Sequence, residues 1–383
     1  MKLLMISGDR NLAQGRKGAF YNTLEEFRKY WNRIDIICPK IPNLNFQISN
    51  KSQISISKSR FFDNVFIHPS PWPLIFQPLW ILKKGREIYR EQKFDLMTVH
   101  EYPPFYNGIG ARLLWNKIRA SYVLEIMHIP GHPRASSFKE RFYKILMKVF
   151  IKFDSEKALA IRVINKKEVP DFLKKNGIPE EKIVYIPAFY IDLEVFRSLG
   201  LEKNYDLIFV GRLEKNKGPD LLIDAASKLK TQILNFRMII VGNGPLEHNL
   251  KFKIENLKLQ NNILLYGWAK DSKEVARLLN ESKILVMPSY NEGGPRVVLE
   301  AMACGVPVIT TKVGLMPDII KDGENGLFID WVPEDLAERI NYLINNAELQ
   351  EKFSTAGLKI VEQFEKKAAI KNYADKLKEI LLS

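Results

Sequence analysis

Short runs of β-branched and aliphatic residues alternate with longer helical patterns along this chain, and the alternation occurs twice. "KLLMIS", "YNTLEEFRKYW" and "IDIICP" open the first series, which continues through "FDLMTVH", "GIGARLLWNKIR" and "SYVLEIMH". After residue 200 it restarts with "YDLIFVG", "GPDLLIDAASKLK", "FRMIIVG", "NILLYG", "EVARLLNES", "ILVMPS", "RVVLEAMACG" and "PVITT". Strands separated by helical crossovers pair in parallel, so the pattern reads as α/β with two doubly wound domains in tandem. A length of 383 residues suits two cores better than one. The expected division is 1–197, 198–365, and a last helix over 366–383 that either completes the second domain or crosses back to the first.

The formal charge of +14 is one-sided. Residues 1–200 hold 33 Lys and Arg against 19 Asp and Glu, whereas residues 201–383 hold 25 of each. A basic first half suggests an anionic partner: nucleic acid, a membrane surface or an acidic glycan. Cys38 and Cys304 are far apart and lack metal-ligand spacing, which argues against a disulfide framework or a zinc site and fits a cytoplasmic setting. No apolar run reaches the ~18 residues of a membrane span, and "PWPLIFQPLWIL" at 71–82 is broken by three prolines.

In doubly wound sheets ligands bind beyond the carboxyl ends of the strands. In the second series those ends are "VGRLEKNKG" (210–218), "VGNGP" (241–245), "YGWAK" (266–270) and "PSYNEGGPRVVLEAMACGVPVITT" (288–311). Gly211, Gly242, Gly244, Gly293 and Gly294 therefore fall on one edge, as a shelf for a nucleotide. Arg212 and Lys217 flank the first loop and are suited to neutralising a diphosphate, although solvated surface charge is the commoner explanation of such a pair taken alone. Gly293 and Gly294 precede a helix expected from about Pro295 to Ala303, whose first amides attract an anion. Glu292 before that helix and Glu300 within it can face a cleft from different elements. A carboxylate accepts two hydroxyl hydrogen bonds, which a ribose or hexose diol offers.

In the first series Gly18 lies in "QGRKGAF", a glycine-bearing turn that opens a helix. His100 and His128 each end a strand-like segment, and His132 is nearby; such a histidine is structural or catalytic. Residues 138–153, "FKERFYKILMKVFIKF", put Arg141, Lys144, Lys148 and Lys152 on one stripe opposed by large apolar residues. That pattern fits a helix lying on anionic lipid, or one with its back in the core and its basic face in water.

These motifs, taken together and in this order, resemble the retaining glycosyltransferases of the GT-B fold, in which two Rossmann-like domains face each other across a cleft. The match runs from about 205 to 330 through "FVGRLEKNKGPDLLIDA", "VGNGP", "LYGW", the 288–311 stretch and "IIKDGENGLFID", and is thinner before it. The resemblance implies that Glu292 contacts the donor hexose, Glu300 holds the nucleotide ribose, and Arg212 and Lys217 bind the donor diphosphate. Gly18 matches the second glycine of the family's first-domain loop, where the adjacent glycine is Lys17 here. His128 is the best match to the histidine near the sugar, with His100 its competitor. The implied partners are a nucleoside diphosphate sugar and a glycan or lipid-linked acceptor, with no metal and no further cofactor. The other reading is a non-catalytic nucleotide-sugar or nucleic-acid-binding protein; no aromatic-basic RNA motif or helix-turn-helix pattern favours nucleic acid.

Overall fold

The computed structural model describes residues 1–14, 18–41, 62–233 and 235–383, with only the backbone of Ala13 and Ala19. The Lys17 departure in the first glycine turn lies outside the described residues.

Two wholly parallel sheets carry the fold. The first has seven strands: β1 (Lys2–Ile6), β2 (Arg33–Cys38), β3 (Val65–Pro69), β4 (Leu96–His100), β5 (Tyr122–Ile126), β6 (Ala160–Val163) and β7 (Ile183–Tyr185), in the order β3-β2-β1-β4-β5-β6-β7. The second has six: β8 (Tyr205–Val210), β9 (Met238–Val241), β10 (Ile263–Gly267), β11 (Ser282–Met287), β12 (Val308–Thr310) and β13 (Leu327–Phe328), in the order β10-β9-β8-β11-β12-β13. In both, the order reverses beside the first strand, which sets a switch point there and opens a crevice at the carboxyl edge.

The sequence explains why these strands form. A parallel sheet covered on both faces needs side chains that are apolar in both directions. "KLLMI" in β1 and "MIIV" in β9 supply that, and Leu3, Leu4, Ile239 and Ile240 are fully buried. β3, β6, β7 and β13 went unread in the sequence because they are short edge or near-edge strands; β13 has only two residues.

Helices α1 (Ala19–Phe27), α2 (Gln77–Gln92), α3 (Tyr106–Ile118), α4 (Phe138–Ser155) and α5 (Glu168–Lys175) accompany the first sheet. Around the second sheet run α6 (Pro219–Leu229), α7 (Glu247–Asn256), α8 (Ser272–Asn280), α9 (Arg296–Ala303), α10 (Met316–Ile319), α11 (Pro333–Ile344) and α12 (Ala347–Val361). The last helix, α13 (Lys366–Leu382), packs against α1, with Ile370, Tyr373, Ala374 and Leu377 sharing a core with Leu3, Phe27 and Ile186 of the first sheet region. Tyr373 stacks on Phe27 at 4.6 Å between ring centroids and donates its hydroxyl to Glu125 at 2.6 Å. Arg162 completes this buried group, donating to Glu125 at 2.7 Å and to the carbonyls of Ile186 and Pro187.

The chain passes between the sheets twice, after β7 and again after α12. The two passages touch: Ile191 N–H donates to the Phe364 carbonyl at 2.7 Å, and Ile191 bridges Glu365. This arrangement is the GT-B architecture expected from the sequence, two Rossmann-like units facing a central cleft.

Helix α4 departs from expectation. Its cations do not oppose its apolar residues: Met147 and Ile151 are buried, but Phe138, Phe142, Ile145, Val149 and Phe153 face outward. Lys144 is not on an open basic stripe either, because its ammonium reaches the Gly131 carbonyl at 3.3 Å and His132 Nδ1 at 3.1 Å. The helix carries apolar residues on two faces, and periodicity alone does not say which of them meets the core.

Candidate functional site

The loop between β11 and α9 enters the cleft and is held from several sides. Thr311 Oγ1 donates to the Ser289 carbonyl at 2.6 Å, Trp331 Nε1 donates to the same oxygen at 2.9 Å, and Tyr290 N–H donates to the Asn216 carbonyl at 2.8 Å. These anchors come from the residue after β12, the segment after β13 and the turn before α6, so the loop is fixed to the carboxyl edge of the sheet.

At its tip, the Glu292 carboxylate accepts hydrogen bonds from the Lys217 ammonium on one oxygen and from Ser289 Oγ on the other. Both charged side chains are largely shielded from solvent. Lys217 gets there because the following residue, Gly218, adopts φ +70° and starts α6; a Cβ at Gly218 would lie 2.3 Å from the Pro288 carbonyl oxygen. Only glycine allows both that backbone and that approach.

His128 follows β5 on the opposite wall. Burial lowers its pKa, with His100 and Lys217 adding to the effect and the negative charge of Glu292 opposing it, so the imidazole is neutral beside the pair. The walls are in contact: a Cβ at Gly293 would lie 2.6 Å from the carbonyl oxygen of Met127, the residue before His128. His100 instead lines a separate cavity of about 350 Å³ between the first sheet and α13, together with Ser7, Asp9, Arg162, Arg296 and Tyr373.

Glu300 lines another cavity, of about 380 Å³, with Gly211, Gly242, Trp268 and Lys270. Burial raises its pKa to about 7, against a smaller lowering by Arg296. Gly242 has φ +139°, and a Cβ there would meet the Gly211 carbonyl oxygen at 1.9 Å, so the two turns that floor this cavity pack backbone to backbone. The Glu300 carboxylate thus stands beside backbone turns in a cavity at the carboxyl edge of the second sheet.

Not every candidate converges. Arg212 is 60 % exposed and pairs with Glu214 at 2.9 Å rather than facing Glu292. Gly244 does not line the Glu300 cavity; the space where its Cβ would stand is filled by the Leu213 backbone. Gly18 caps α1, and a Cβ there would meet nothing within 4 Å. Gly294, with φ +141°, packs against Leu315 and Phe189, which leaves Gly293 as the glycine that touches the other wall.

Several residues of the cleft escaped the sequence reading. Glu140, in the first turn of α4, accepts hydrogen bonds from Asn291 Nδ2 at 3.0 Å and from Ser136 N–H at 2.6 Å. Asn291 Nδ2 also donates to the Arg134 carbonyl at 2.9 Å, and the Arg134 guanidinium lies over the stacked rings of Tyr290 and Trp331. On the far side Glu168 accepts from Gly314 N–H at 2.8 Å, and Asp318 accepts from Lys166 N–H at 2.6 Å. Burial raises the Glu168 pKa to about 8. Ser289 and Asn291 bracket Tyr290 immediately before Glu292, which is the one local signal that could have singled them out.

Comparison with known proteins agrees with this fold. Residues 192–360 match the family model described as glycosyl transferases group 1. The chain is 32 % identical over 314 residues to the uncharacterized glycosyltransferase MJ1178 of Methanocaldococcus jannaschii, covering 79 % of this chain and 82 % of that protein. It is 31 % identical to the putative colanic acid biosynthesis glycosyltransferase WcaL of Salmonella typhimurium, over 54 % of each chain. The sucrose-phosphate synthase structure from Thermosynechococcus elongatus superposes with a TM-score of 0.80 at 16 % identity, over 100 % of this chain and 99 % of that one. The Anabaena Alr3699/HepE structure in complex with UDP and glucose superposes with 0.72 at 18 %, over 99 % and 100 %. With its paired sheets, the Glu292 loop at their junction and relatives of this closeness, the chain belongs to the glycosyl transferases group 1 family and is a glycosyltransferase of GT-B fold.

Proposed function

We propose that this glycosyltransferase moves a hexose from a nucleoside diphosphate sugar to a glycan or lipid-linked acceptor, with retention of anomeric configuration, in cell-envelope or polysaccharide assembly. The observation that carries the reading is the Lys217–Glu292 pair, with His128 across from it and the Glu300 cavity opening on the same edge. The WcaL relative is named for colanic acid biosynthesis, and the HepE structure holds UDP and glucose, which supports the substrate class. In this reading residues 1–197 take the acceptor, residues 198–365 take the donor, and 366–383 tie the two together. The buried, unpaired Cys38 and Cys304 fit a cytoplasmic enzyme.

In the reaction the bond from the anomeric carbon to the diphosphate oxygen breaks, and negative charge grows on the leaving group. Lys217 is positioned to stabilise that charge, joined by Arg212 once its side chain leaves Glu214 for the phosphates; fixed charges of this kind are commonly the largest catalytic contribution. The acceptor hydroxyl forms its bond to the anomeric carbon on the face the diphosphate leaves, and its proton passes to a phosphate oxygen. Glu292, released from Lys217 by the incoming phosphates, orients the hexose through its hydroxyls, while neutral His128 donates or accepts a hydrogen bond to the same ring without adding charge.

Calorimetric titration of wild type and Glu300→Ala with UDP and with GDP tests the donor assignment. Selective binding of one nucleotide, weakened by the substitution, supports it. If the folded wild type binds neither, the donor assignment is wrong.

A further inference from the structure

We propose that the outward apolar stripe of α4 docks this protein onto an anionic membrane surface.

The stripe is built by spacing. Phe138, Phe142, Ile145, Val149 and Phe153 recur every three or four positions and so share one face of the helix. They are 86, 57, 62, 64 and 44 % exposed, against 1 % for Met147 and Ile151. Residues two apart on a helix point nearly opposite ways, so Ile145 and Val149 look out because Met147 and Ile151 look in. A helix of 18 residues is about 27 Å long, so the stripe extends well beyond a scattered surface side chain.

Charge selects the occupant. Arg141, Lys148 and Lys152 run along one flank of the stripe and Lys139 stands on the other, all four exposed. The acids of this helix are engaged elsewhere: Glu140 holds Ser136 and Asn291, and Asp154 is buried. An apolar ridge with cations at its shoulders fits acyl chains below and lipid phosphates at the rim. A second apolar edge comes from the same helical layer, where Ile75 and Phe76 just before α2 and Leu79 in its first turn are exposed, and Leu79 shares a shallow pocket with Lys83, Arg86, Glu87 and Arg90. Helices α2, α3 and α4 share one core on one side of the first sheet, so both edges belong to the layer facing away from that sheet. Among the described residues no helix is long and apolar enough to cross a bilayer, and α4, with its charges, lies on the surface instead.

The proposal concerns where the protein sits and stands whether or not the donor assignment holds. The test is co-sedimentation with vesicles of phosphatidylcholine alone and of phosphatidylcholine mixed with phosphatidylglycerol. Three proteins are compared: wild type, the triple variant Phe142→Ser, Ile145→Ser, Val149→Ser, and the triple variant Arg141→Glu, Lys148→Glu, Lys152→Glu. All six positions are exposed, and unchanged nucleotide titrations and melting curves show that the variants are folded. Wild type is expected to sediment with the mixed vesicles and to remain in solution with phosphatidylcholine alone. Each cation lost weakens partition about fivefold, and the serine variant binds more than tenfold more weakly. Glu300→Ala, altered only in the nucleotide cavity, should sediment as wild type does. Wild type that ignores mixed vesicles, or variants that bind as well as wild type, would overturn the proposal. A wild-type dimer in sedimentation equilibrium that the serine variant dissociates, without vesicle binding, assigns the stripe to a second copy and overturns it as well.

Discussion

The Lys217 ammonium donates to Glu292, a residue 75 positions later in the chain, while Ser289 holds the other carboxylate oxygen. In the proposed reaction a phosphate draws Lys217 away from this pair and a hexose takes up the carboxylate. Lys217→Ala should weaken nucleotide binding about tenfold or more, since charge-assisted hydrogen bonds contribute ~1.5–3 kcal/mol, and should lower turnover further. Glu292→Gln frees the lysine, so bare nucleotide should bind as tightly as in wild type or more tightly while turnover falls steeply. Calorimetry alongside kcat measures both, and normal turnover in Glu292→Gln rules out its assigned contact with the sugar.

If Glu300 holds the nucleotide ribose as proposed, nucleotide binding should depend on pH. Its carboxyl titrates at about 7 because it is buried, and the ionised form is the better acceptor for a diol. Affinity for the nucleotide should therefore rise between pH 6 and pH 8, and Glu300→Gln should flatten the profile at a lower affinity. Titrations across that range decide it; an unchanged slope in the variant puts the titrating group elsewhere.

Stability should move the other way. Glu300 at about 7, with Glu168 and Asp154 both at about 8, are acids whose folded pKa lies above the ordinary carboxylate value. Such groups favour the folded state while protonated, and that advantage is lost as pH rises from the unfolded value through the folded one. Melting temperature without nucleotide should fall from pH 5 towards pH 9, and Glu168→Gln together with Asp154→Asn should remove part of the slope.

The buried group around Glu125 predicts a local effect of the last helix. Tyr373→Phe removes one donor from Glu125 but leaves Arg162 in place, and should cost about 1–3 kcal/mol in urea unfolding. Arg162→Met leaves a buried carboxylate without its cation and should cost about 3–5 kcal/mol. Equal costs for the two would mean that the tyrosine, not the charge pair, secures α13.

Much of the architecture was legible because strands buried on both faces must be written in aliphatic residues, as in β1, β9 and β11. Gly242 and Gly293 were legible for a related reason: a turn that must approach another backbone leaves glycines behind. What the sequence hid was pairing across long separations. Nothing local to Lys217 says that it turns to Glu292, 75 positions on, and nothing local to Glu140 reveals Asn291, 151 positions on. Helix α4 shows the same limit, since two apolar faces give one periodicity and only the neighbours choose between them.

The two passages between the sheets, joined at Ile191 and Phe364, also determine how the halves can move. A single linker would leave the units free to swing and twist, whereas two strands of chain laid side by side act as a door hinge with one pin. Opening and closing about that line remains easy, and sliding or rotation across it is resisted. In the proposed reaction, closure about that line is the motion that brings Glu292 back opposite His128.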